Sequence, residues 1–176
     1  RYFNETEEPV AKVVLVVSSH KDAGVLSIAK NYNIPSIVLD KKSFYETEEI
    51  LNTLESYAVQ FIALAGFIWY VPQYIVRRYK GKIVNIHPAL LPAYGGKGMY
   101  GLRVHEEVIK NKEKESGFTI HYVNEEYDAG EIIFQFRVPV FENDTPQSLQ
   151  NRIKRNENYY YPRIIEKIIL EKFYLS

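Results

Sequence analysis

Residues 59–87, VQFIALAGFIWYVPQYIVRRYKGKIVNIH, decide the fold class of this chain. Two apolar runs, residues 59–66 and 82–86, flank a segment around residues 73–79 with helical spacing, which predicts a strand, a helix and a second strand. Strands joined through a helix run parallel, because the crossover returns the chain to the same end of the sheet. The stretch therefore predicts a βαβ unit of an α/β protein.

The same alternation precedes this stretch. Residues 12–17, KVVLVV, form a β-branched run typical of a strand buried on both faces of a parallel sheet. A helix is predicted over residues 23–32, a strand over residues 36–39 and a further helix over residues 43–57. These repeated units predict a Rossmann-like, open and mostly parallel α/β sheet with helices on both of its faces.

The strand pattern changes in the C-terminal third. FTIHYV, residues 118–123, and IIFQFRVPV, residues 132–140, are two predicted strands joined by the polar turn NEEYDAGE. A short turn between neighbouring strands makes them antiparallel, so we expect an antiparallel edge on the C-terminal side of the sheet.

A final helix is predicted after the string DTP, residues 144–146, because this string supplies a helix cap and a proline in the first turn. Pro162 is expected to kink or split that helix, since proline cannot donate the hydrogen bond of a helix interior. No repeat and no long linker interrupts the chain, which predicts one domain over residues 1–176.

The composition limits the classes of partner. The 22 basic and 22 acidic residues balance, so no overall field favours a nucleic acid, and we expect small-molecule substrates. The chain has no cysteine, which excludes disulfides, thiolate metal ligands and cysteine nucleophiles. No apolar run approaches the roughly 20 residues that span a bilayer, and the start does not resemble a signal peptide. We therefore predict a cytoplasmic protein without a membrane partner, and the oligomeric state stays open.

Chemistry is expected just after the strands that end near Gly66 and Ile86, because ligands of open α/β sheets lie beyond the carboxyl ends of the strands. The string NIHP begins at the second of these points. A lone histidine such as His87 is more often structural than catalytic. Taken singly, Asp128 is an ordinary turn residue before Ala-Gly, and Asn85 an ordinary strand-end cap.

Three strings favour a functional role for these residues. ALAGF, VNIHPALLPAYGGKGMYG and FTIHYVNEEYDAGEIIFQFRVPV, in this order, resemble the folate-dependent formyltransferases, and the resemblance covers nearly the whole chain. It implies transfer of a formyl group from 10-formyltetrahydrofolate, a co-substrate, to the amine of a ribosyl phosphate. It implies no metal, nucleotide cofactor or covalent intermediate.

The resemblance places the family's catalytic residues on Asn85, His87 and Asp128. Formyl transfer passes through a tetrahedral intermediate whose oxygen gathers negative charge and whose two nitrogens exchange a proton. By resemblance, the Asn85 amide would hydrogen-bond that oxygen and His87 would stabilise it as an imidazolium. Asp128 is expected to raise the pKa of His87, because a nearby carboxylate favours the charged ring, and to support the proton relay.

The resemblance also implies binding residues. Those expected at the folate are Leu64, Phe67, Ile68, Trp69, Tyr70, Val71, Asn85, Glu125, Glu126 and Tyr127. Those expected at the second substrate are Gly66, Pro88, Lys97 and Glu157. Core packing is the alternative for Leu64 and Phe67, and a solvated surface lysine is the alternative for Lys97. Trp69 departs from the family, which often has arginine at this position.

The start of the chain departs from the family as well. Relatives begin with a strand and a glycine-rich loop that holds a phosphate at a helix N-terminus. RYFNETEEPV, residues 1–10, resembles only the end of the helix after that loop, so an N-terminal βα unit is missing and we expect a longer natural protein. GGKGMYG, residues 95–101, is longer than in many relatives and suggests a mobile loop beside the substrate.

Two other functions stay open. One is a different 10-formyltetrahydrofolate-dependent enzyme, with a sugar amine as acceptor. The other is a non-catalytic folate binder that has lost the phosphate loop, although such a protein would not need all three catalytic residues. His20, His105 and His121 are given no catalytic role. His121, inside a predicted strand, is expected to be structural, whereas His105, near the glycine-rich loop, is a candidate substrate contact.

Overall fold

The computed structural model describes residues 1–175 and has the α/β architecture that the sequence predicts. Seven helices and six strands are found within these residues. Along the chain they are α1 (Tyr2–Glu5), β1 (Val16–Ser18), α2 (Gly24–Asn31), β2 (Ser36–Val38), α3 (Lys41–Glu46), α4 (Glu49–Ser56), β3 (Ile62–Ala65), α5 (Gln73–Arg78), β4 (Ile83–His87), α6 (Leu102–Lys110), β5 (Glu115–Tyr122), β6 (Ile132–Pro139) and α7 (Pro146–Phe173).

Parallel strands come first and an antiparallel edge follows, as predicted. β1 pairs in parallel with β2, and β3 pairs in parallel with β4. β5 then pairs antiparallel with β4, and β6 antiparallel with β5. Hydrogen bonding divides these strands into a β1–β2 pair and a four-stranded β3–β4–β5–β6 sheet. Within residues 1–175, β1 and β3 are therefore each paired on one side only.

Helices cover both faces of the sheet, which confirms this part of the prediction. Ile83 of β4 packs in a cluster with Phe44, Leu54 and Ile75 from α3, α4 and α5. The next residue, Val84, packs instead with the α7 isoleucines of the C-terminal half of that helix. Consecutive strand residues point to opposite faces, so β4 lies between two apolar layers. This central strand carries the candidate catalytic residues.

Two helices differ from the sequence prediction. The predicted helix over residues 43–57 is two helices, because Thr47 adopts an extended conformation (φ −130°, ψ 168°) and its hydroxyl bonds back to the Ser43 carbonyl at 3.0 Å. Helix α6 was not predicted at all. Its buried residues, Val104, His105 and Val108, form a stripe at helical spacing that could have revealed it.

The C-terminal helix begins as predicted and is not split. Thr145 accepts a hydrogen bond from the Ser148 N–H, and the Ser148 hydroxyl accepts one from the Thr145 N–H, which makes a capping box. The expected split at Pro162 is wrong, since α7 continues through it to Phe173. Packing of Ile165, three residues later, compensates for the hydrogen bond that Pro162 cannot donate. No helix in residues 1–175 is long and apolar enough to cross a membrane.

Candidate active site

β4 presents two polar side chains on one face. Asn85 and His87 alternate along this strand with apolar residues that face α7, so both point away from that helix. The antiparallel register places His121 opposite Asn85 and Thr119 opposite His87. The end of β4 and the end of β5 therefore bring four polar side chains to one face of the sheet. An amide, two imidazoles and a hydroxyl at one edge can both donate and accept hydrogen bonds.

Thr119 holds the chain where it leaves β4. Its buried hydroxyl donates to the Ala89 carbonyl at 2.7 Å and accepts from the Leu91 N–H at 3.0 Å. The Gln135 side-chain amide donates to the same hydroxyl at 3.0 Å and to the Leu91 carbonyl at 2.9 Å. These bonds fix the backbone directly after His87, so the ring of this histidine is set by a rigid strand end.

Asp128 reaches the two histidines from the turn between β5 and β6. Its backbone is left-handed (φ +51°), a conformation that aspartate tolerates better than most residues. Its Oδ2 lies 3.5 Å from His87 Nδ1 and its Oδ1 lies 3.5 Å from His121 Nε2. The turn is tight, because a Cβ on Gly130 would lie 1.7 Å from the Tyr122 carbonyl oxygen. The residue that fits the turn therefore also supplies the carboxylate of the site.

The tautomer of His87 follows from its partners. Its Nε2 lies 2.7 Å from the carbonyl oxygen of Tyr94, which can only accept, so Nε2 carries a hydrogen and donates it. Nδ1, which faces Asp128, is consequently the nitrogen that gains and loses a proton. The ring is almost fully buried, with 4% of the residue exposed.

The pKa of His87 is lowered, whereas sequence analysis predicted that it is raised. Burial lowers it, and the charge of His121 lowers it further, whereas Asp128 and the Tyr94 carbonyl raise it by less. The expected influence of Asp128 has the right sign, but the predicted net rise is wrong, because a buried imidazolium loses more solvation than one carboxylate restores. His87 is therefore mostly neutral at pH 7 in the free protein.

Asp128 stays ionised. Burial alone would raise its pKa, but the contact with His121, the charge of His87 and the hydrogen bond from the Gly96 N–H together lower it. The Gly96 nitrogen lies 2.9 Å from Oδ2. A carboxylate that accepts such bonds favours its charged form, so the site holds a fixed negative charge beside a neutral ring.

The glycine-rich loop, residues 95–101, is bound to the catalytic pair by main-chain atoms. The Gly96 N–H donates to Asp128, and the preceding carbonyl of Tyr94 accepts from His87. A Cβ on Gly95 would lie 2.6 Å from Leu91 Cδ2, so this approach requires glycine. The loop that the sequence suggested as a mobile border of the site thus bonds Asp128, and the residue directly before it, Tyr94, bonds His87.

A narrow cleft opens beside these groups, between the segment after β3 and the turn after β5. It is lined by Leu64, Phe67, Trp69, Tyr70, Val71, Asn85, His121, Val123, Asn124, Glu126, Tyr127 and Asp128. Eight of the ten residues expected at the folate belong to this lining, and Ile68 and Glu125 do not. The walls are mostly aromatic and aliphatic, which suits a flat ring system. A wider open depression between α2 and β2 contains no catalytic candidate.

Hydrogen bonds join the segments that line this cleft. The Tyr70 hydroxyl donates to the Glu125 carbonyl at 2.6 Å, and the Tyr45 hydroxyl donates to the Tyr70 carbonyl at 3.1 Å. The rings of Tyr70 and Tyr127 lie 5.1 Å apart, and those of Tyr45 and Trp69 lie 6.3 Å apart. Trp69 therefore belongs to an aromatic wall, at the position where the family often has arginine.

The four residues expected at the second substrate lie outside the cleft lining. Gly66 follows β3 with a left-handed backbone (φ +65°), and Pro88 follows β4 directly after His87. Lys97 is exposed on the glycine-rich loop. Glu157 is half-buried on α7, and burial raises its pKa to about 7, while Lys154 lowers it. Pro88 is the chain neighbour of His87, and Lys97 is the chain neighbour of Gly96, whose N–H bonds to Asp128.

Two further histidines lie near the catalytic pair, of which sequence analysis placed His105 beside the glycine-rich loop and missed the contacts of His121. His121 lines the cleft and contacts both Asn85 and Asp128. His105 on α6 is buried, and burial together with the charge of His87 lowers its pKa to about 4. The signal for His121 was present, because polar residues alternate with apolar ones in both NIH and TIH. Such a polar face within two buried strands indicates a site.

This fold and this site define a class of protein. A model of the formyl transferase family matches residues 3–165, and the chain belongs to that family. The phosphoribosylglycinamide formyltransferase of Haemophilus influenzae is 38% identical over 160 residues, which are 89% of this chain and 73% of that protein. The chloroplastic phosphoribosylglycinamide formyltransferase of Arabidopsis thaliana is 41% identical over 165 residues, which cover 91% of this chain.

A solved structure agrees with these relatives. The phosphoribosylglycinamide formyltransferase of Anaplasma phagocytophilum matches with a TM-score of 0.87 at 37% identity, over 97% of this chain and 79% of that chain. The chain spans little more than half of the plant relatives, 56% of the Arabidopsis thaliana protein and 53% of the Vigna unguiculata protein.

Proposed function

We propose that this chain transfers the formyl group of 10-formyltetrahydrofolate to the amine of 5-phosphoribosylglycinamide, a step of purine synthesis. The observation that carries this proposal is one cluster in which His121 contacts Asn85 and Asp128, Asp128 contacts His87, and Asn85 and Asp128 line an aromatic cleft. Membership of the family supports the formyl chemistry, and the names of the relatives support the acceptor.

In the proposed reaction the amine nitrogen attacks the formyl carbon and forms a carbon–nitrogen bond. The carbonyl oxygen takes up negative charge, and the bond from the formyl carbon to the folate nitrogen then breaks. One proton leaves the amine and one arrives at the departing folate nitrogen. Side chains that donate to the oxygen and that carry this proton are sufficient for the chemistry.

Asn85 is proposed as the donor to the formyl oxygen. It is half-buried, it lines the cleft, and its side-chain amide has two N–H groups. A donor fixed in a partly water-excluded cleft stabilises developing charge more than water does, because it does not need to reorganise.

His87 is proposed to carry the proton through Nδ1. Because the free ring is neutral, it can accept a proton from the attacking amine. Negative charge on the intermediate then favours the imidazolium, and Asp128 at 3.5 Å stabilises it further. The lowered pKa therefore suits a base that becomes an acid within one turnover, which replaces the sequence-based hypothesis of a standing imidazolium.

The aromatic cleft is proposed to hold the folate ring. Leu64, Phe67 and Val71 would pack against its faces, with Trp69, Tyr70, Glu126 and Tyr127 also in the lining. Ile68 and Glu125, which lie outside the lining, stay proposals that depend on their main-chain groups. At the second substrate, Lys97 would contact the phosphate, Glu157 would accept ribose hydroxyls, and Gly66 and Pro88 would border the amine.

Other parts of the prediction stay predictions. These are one domain over residues 1–176, of which Ser176 lies outside the described residues, the absence of a metal and of a nucleic-acid partner, and a cytoplasmic location. The Arabidopsis thaliana relative is named as chloroplastic, so localisation of a tagged full-length protein is the direct test of the compartment.

The function is tested by a formyl-transfer assay with 10-formyltetrahydrofolate and 5-phosphoribosylglycinamide. This chain, an N-terminally extended form from the same source and their His87→Ala variants are compared. Turnover that disappears in the His87→Ala variant supports the proposal. Formylation of a sugar amine instead would replace the acceptor. Folate binding without turnover in both forms, unaffected by His87→Ala, would identify a non-catalytic folate binder.

A further inference from the structure

We propose that His121 is a positioning residue that accepts a hydrogen bond from Asn85 and thereby fixes which end of the Asn85 amide faces the formyl oxygen. The catalytic meaning of this contact rests on the function proposed above. The contact itself is a structural property of the chain.

The two side chains are a directly opposed cross-strand pair. Asn85 in β4 and His121 in β5 are register partners, and Asn85 Nδ2 lies 3.2 Å from His121 Nε2. Opposed residues on one face of an antiparallel pair are close enough to interact through their side chains. On the other side of β5 the register with β6 shifts between Ile120 and His121, an irregularity that often re-aims a side chain.

Donor and acceptor counting assigns the tautomer of His121. Its Nδ1 lies 2.8 Å from the carbonyl oxygen of Tyr122, which cannot donate, so Nδ1 carries a hydrogen. In a neutral ring Nε2 then has only a lone pair. The polar atoms beside it are Asn85 Nδ2 at 3.2 Å and Asp128 Oδ1 at 3.5 Å. A carboxylate has no hydrogen to offer at pH 7, so beside a neutral His121 ring the Asn85 amide is the donor to Nε2.

This bond fixes the orientation of the Asn85 side-chain amide, which could otherwise flip and exchange its oxygen and nitrogen. A flipped Asn85 amide would place its oxygen against the lone pair of His121 Nε2, an unfavourable contact at a residue only 2% exposed. With the amide nitrogen held towards His121, one N–H is used and the second stays available for the substrate oxygen. Without His121, both orientations become accessible, and one of them turns an oxygen towards the developing negative charge.

The alternative arrangement is chemically distinct. If His121 were an imidazolium, its Nε2–H would donate to Asp128 Oδ1, which is the arrangement in which His121 lowers the pKa of Asp128, and Asn85 would have to present its oxygen instead of its nitrogen. The two arrangements differ in which ring nitrogens carry hydrogen, and nitrogen NMR distinguishes them. A 15N-histidine sample of the substrate-free chain at pH 7 should show His121 protonated at Nδ1 alone. Protonation of Nε2 would overturn the proposal, whether or not the protein turns over.

A pair of near-isosteric variants tests the catalytic consequence. The glutamine oxygen of His121→Gln reaches about as far as Nε2, whereas the asparagine of His121→Asn reaches only as far as Nδ1. We expect His121→Asn to lower kcat about 10- to 100-fold, less than the roughly 100- to 1,000-fold loss of an outright oxyanion donor. His121→Gln should recover most of that loss, and the KM for the folate should change less than about threefold in both.

The matched control is Ser116→Ala. Ser116 is also buried in β5, and its hydroxyl has no hydrogen-bond partner within residues 1–175, so the variant should keep kcat unchanged. A double-mutant cycle with Asn85→Ala completes the test, because a residue that acts through Asn85 has little further effect once Asn85 is removed. Additive losses, or equal losses in the Gln and Asn variants, would contradict the inference. Absence of turnover in both the wild-type chain and its N-terminally extended form contradicts the proposed function instead, and leaves the NMR result to decide the contact.

Discussion

Replacing Asp128 by asparagine isolates the charge of the catalytic carboxylate. Asparagine accepts the left-handed backbone of this position (φ +51°) at least as well as aspartate does, and its side-chain oxygen can still accept the Gly96 N–H. The turn and the glycine-rich loop should therefore keep their structure in Asp128→Asn. What the variant loses is the negative charge beside His87.

The expected effect follows from the distance between the two groups. Unit charges 3.5 Å apart interact by about 5 kcal/mol at an effective dielectric constant of about 20. The Asp128 side chain is 13% exposed, so solvent reduces this value, and we expect a loss of about 3–4 kcal/mol in the transition state. Since about 1.4 kcal/mol corresponds to a factor of ten, kcat should fall about 100- to 1,000-fold.

The pH dependence provides an independent readout. Asp128 raises the pKa of His87, so its removal lowers that pKa further. Because the proposed reaction begins with a neutral His87 that accepts a proton, kcat should fall on the acid side as His87 becomes protonated, and this acid-side decline should move to lower pH in Asp128→Asn. Glu131→Gln, an exposed neighbour in the same turn, is the control and should keep both kcat and the profile. A fall below about tenfold together with an unchanged profile would refute the reasoning.

Three further outcomes are expected. Asp144→Asn should lower the free energy of unfolding by about 2–3 kcal/mol in urea titrations at pH 7, because Asp144 accepts two bonds from Arg152 and is almost fully buried. The hydrogen bond from Arg152 holds the pKa of Asp144 well below its usual range, so this difference should be present above about pH 4 and should shrink as the pH falls through the lower folded pKa. Glu157→Gln should be more stable than the wild type at pH 8 by an amount on the order of 1 kcal/mol and equal to it at pH 4. Burial raises the pKa of Glu157 to about 7, so the folded state loses stability as the carboxyl ionises, an effect that partial exposure screens. Equal thermal midpoints at pH 8 would contradict this. Dialysis against EDTA should leave formyl transfer unchanged, and a loss restored by added Zn²⁺ or Mg²⁺ would overturn the metal-free prediction.

The elements that sequence analysis predicted correctly are encoded in local sequence patterns. β3 and β4 are continuous apolar runs that end in glycine or in a polar string, so both their position and their exit points are visible in the sequence. The meeting of Asn85 with Asp128 was inferred from the family resemblance. No local pattern specifies the antiparallel register that brings the turn after β5 to the end of β4.

The features that were missed depend on tertiary surroundings. The net pKa shift of His87 has the opposite sign from the prediction, because the depth of its burial is set by the packing of loop and sheet. The partner of Asn85 was missed, because His121 is 36 residues away and becomes its neighbour only through the strand pairing. Pro162 stays inside a continuous helix, because apolar contacts of the following turn outweigh one lost hydrogen bond.

The hydrogen bonds of Tyr94 and of the glycine-rich loop after it to the catalytic pair are made by main-chain atoms, the Tyr94 carbonyl and the Gly96 N–H. Every amino acid carries a carbonyl, so the chemistry imposes almost no side-chain identity on the exposed positions of this loop. Lys97 and Tyr100 can therefore be exchanged by evolution or by design while His87 and Asp128 keep their geometry. This separation makes the loop a natural place for the acceptor preference to diverge within an unchanged formyl-transfer core.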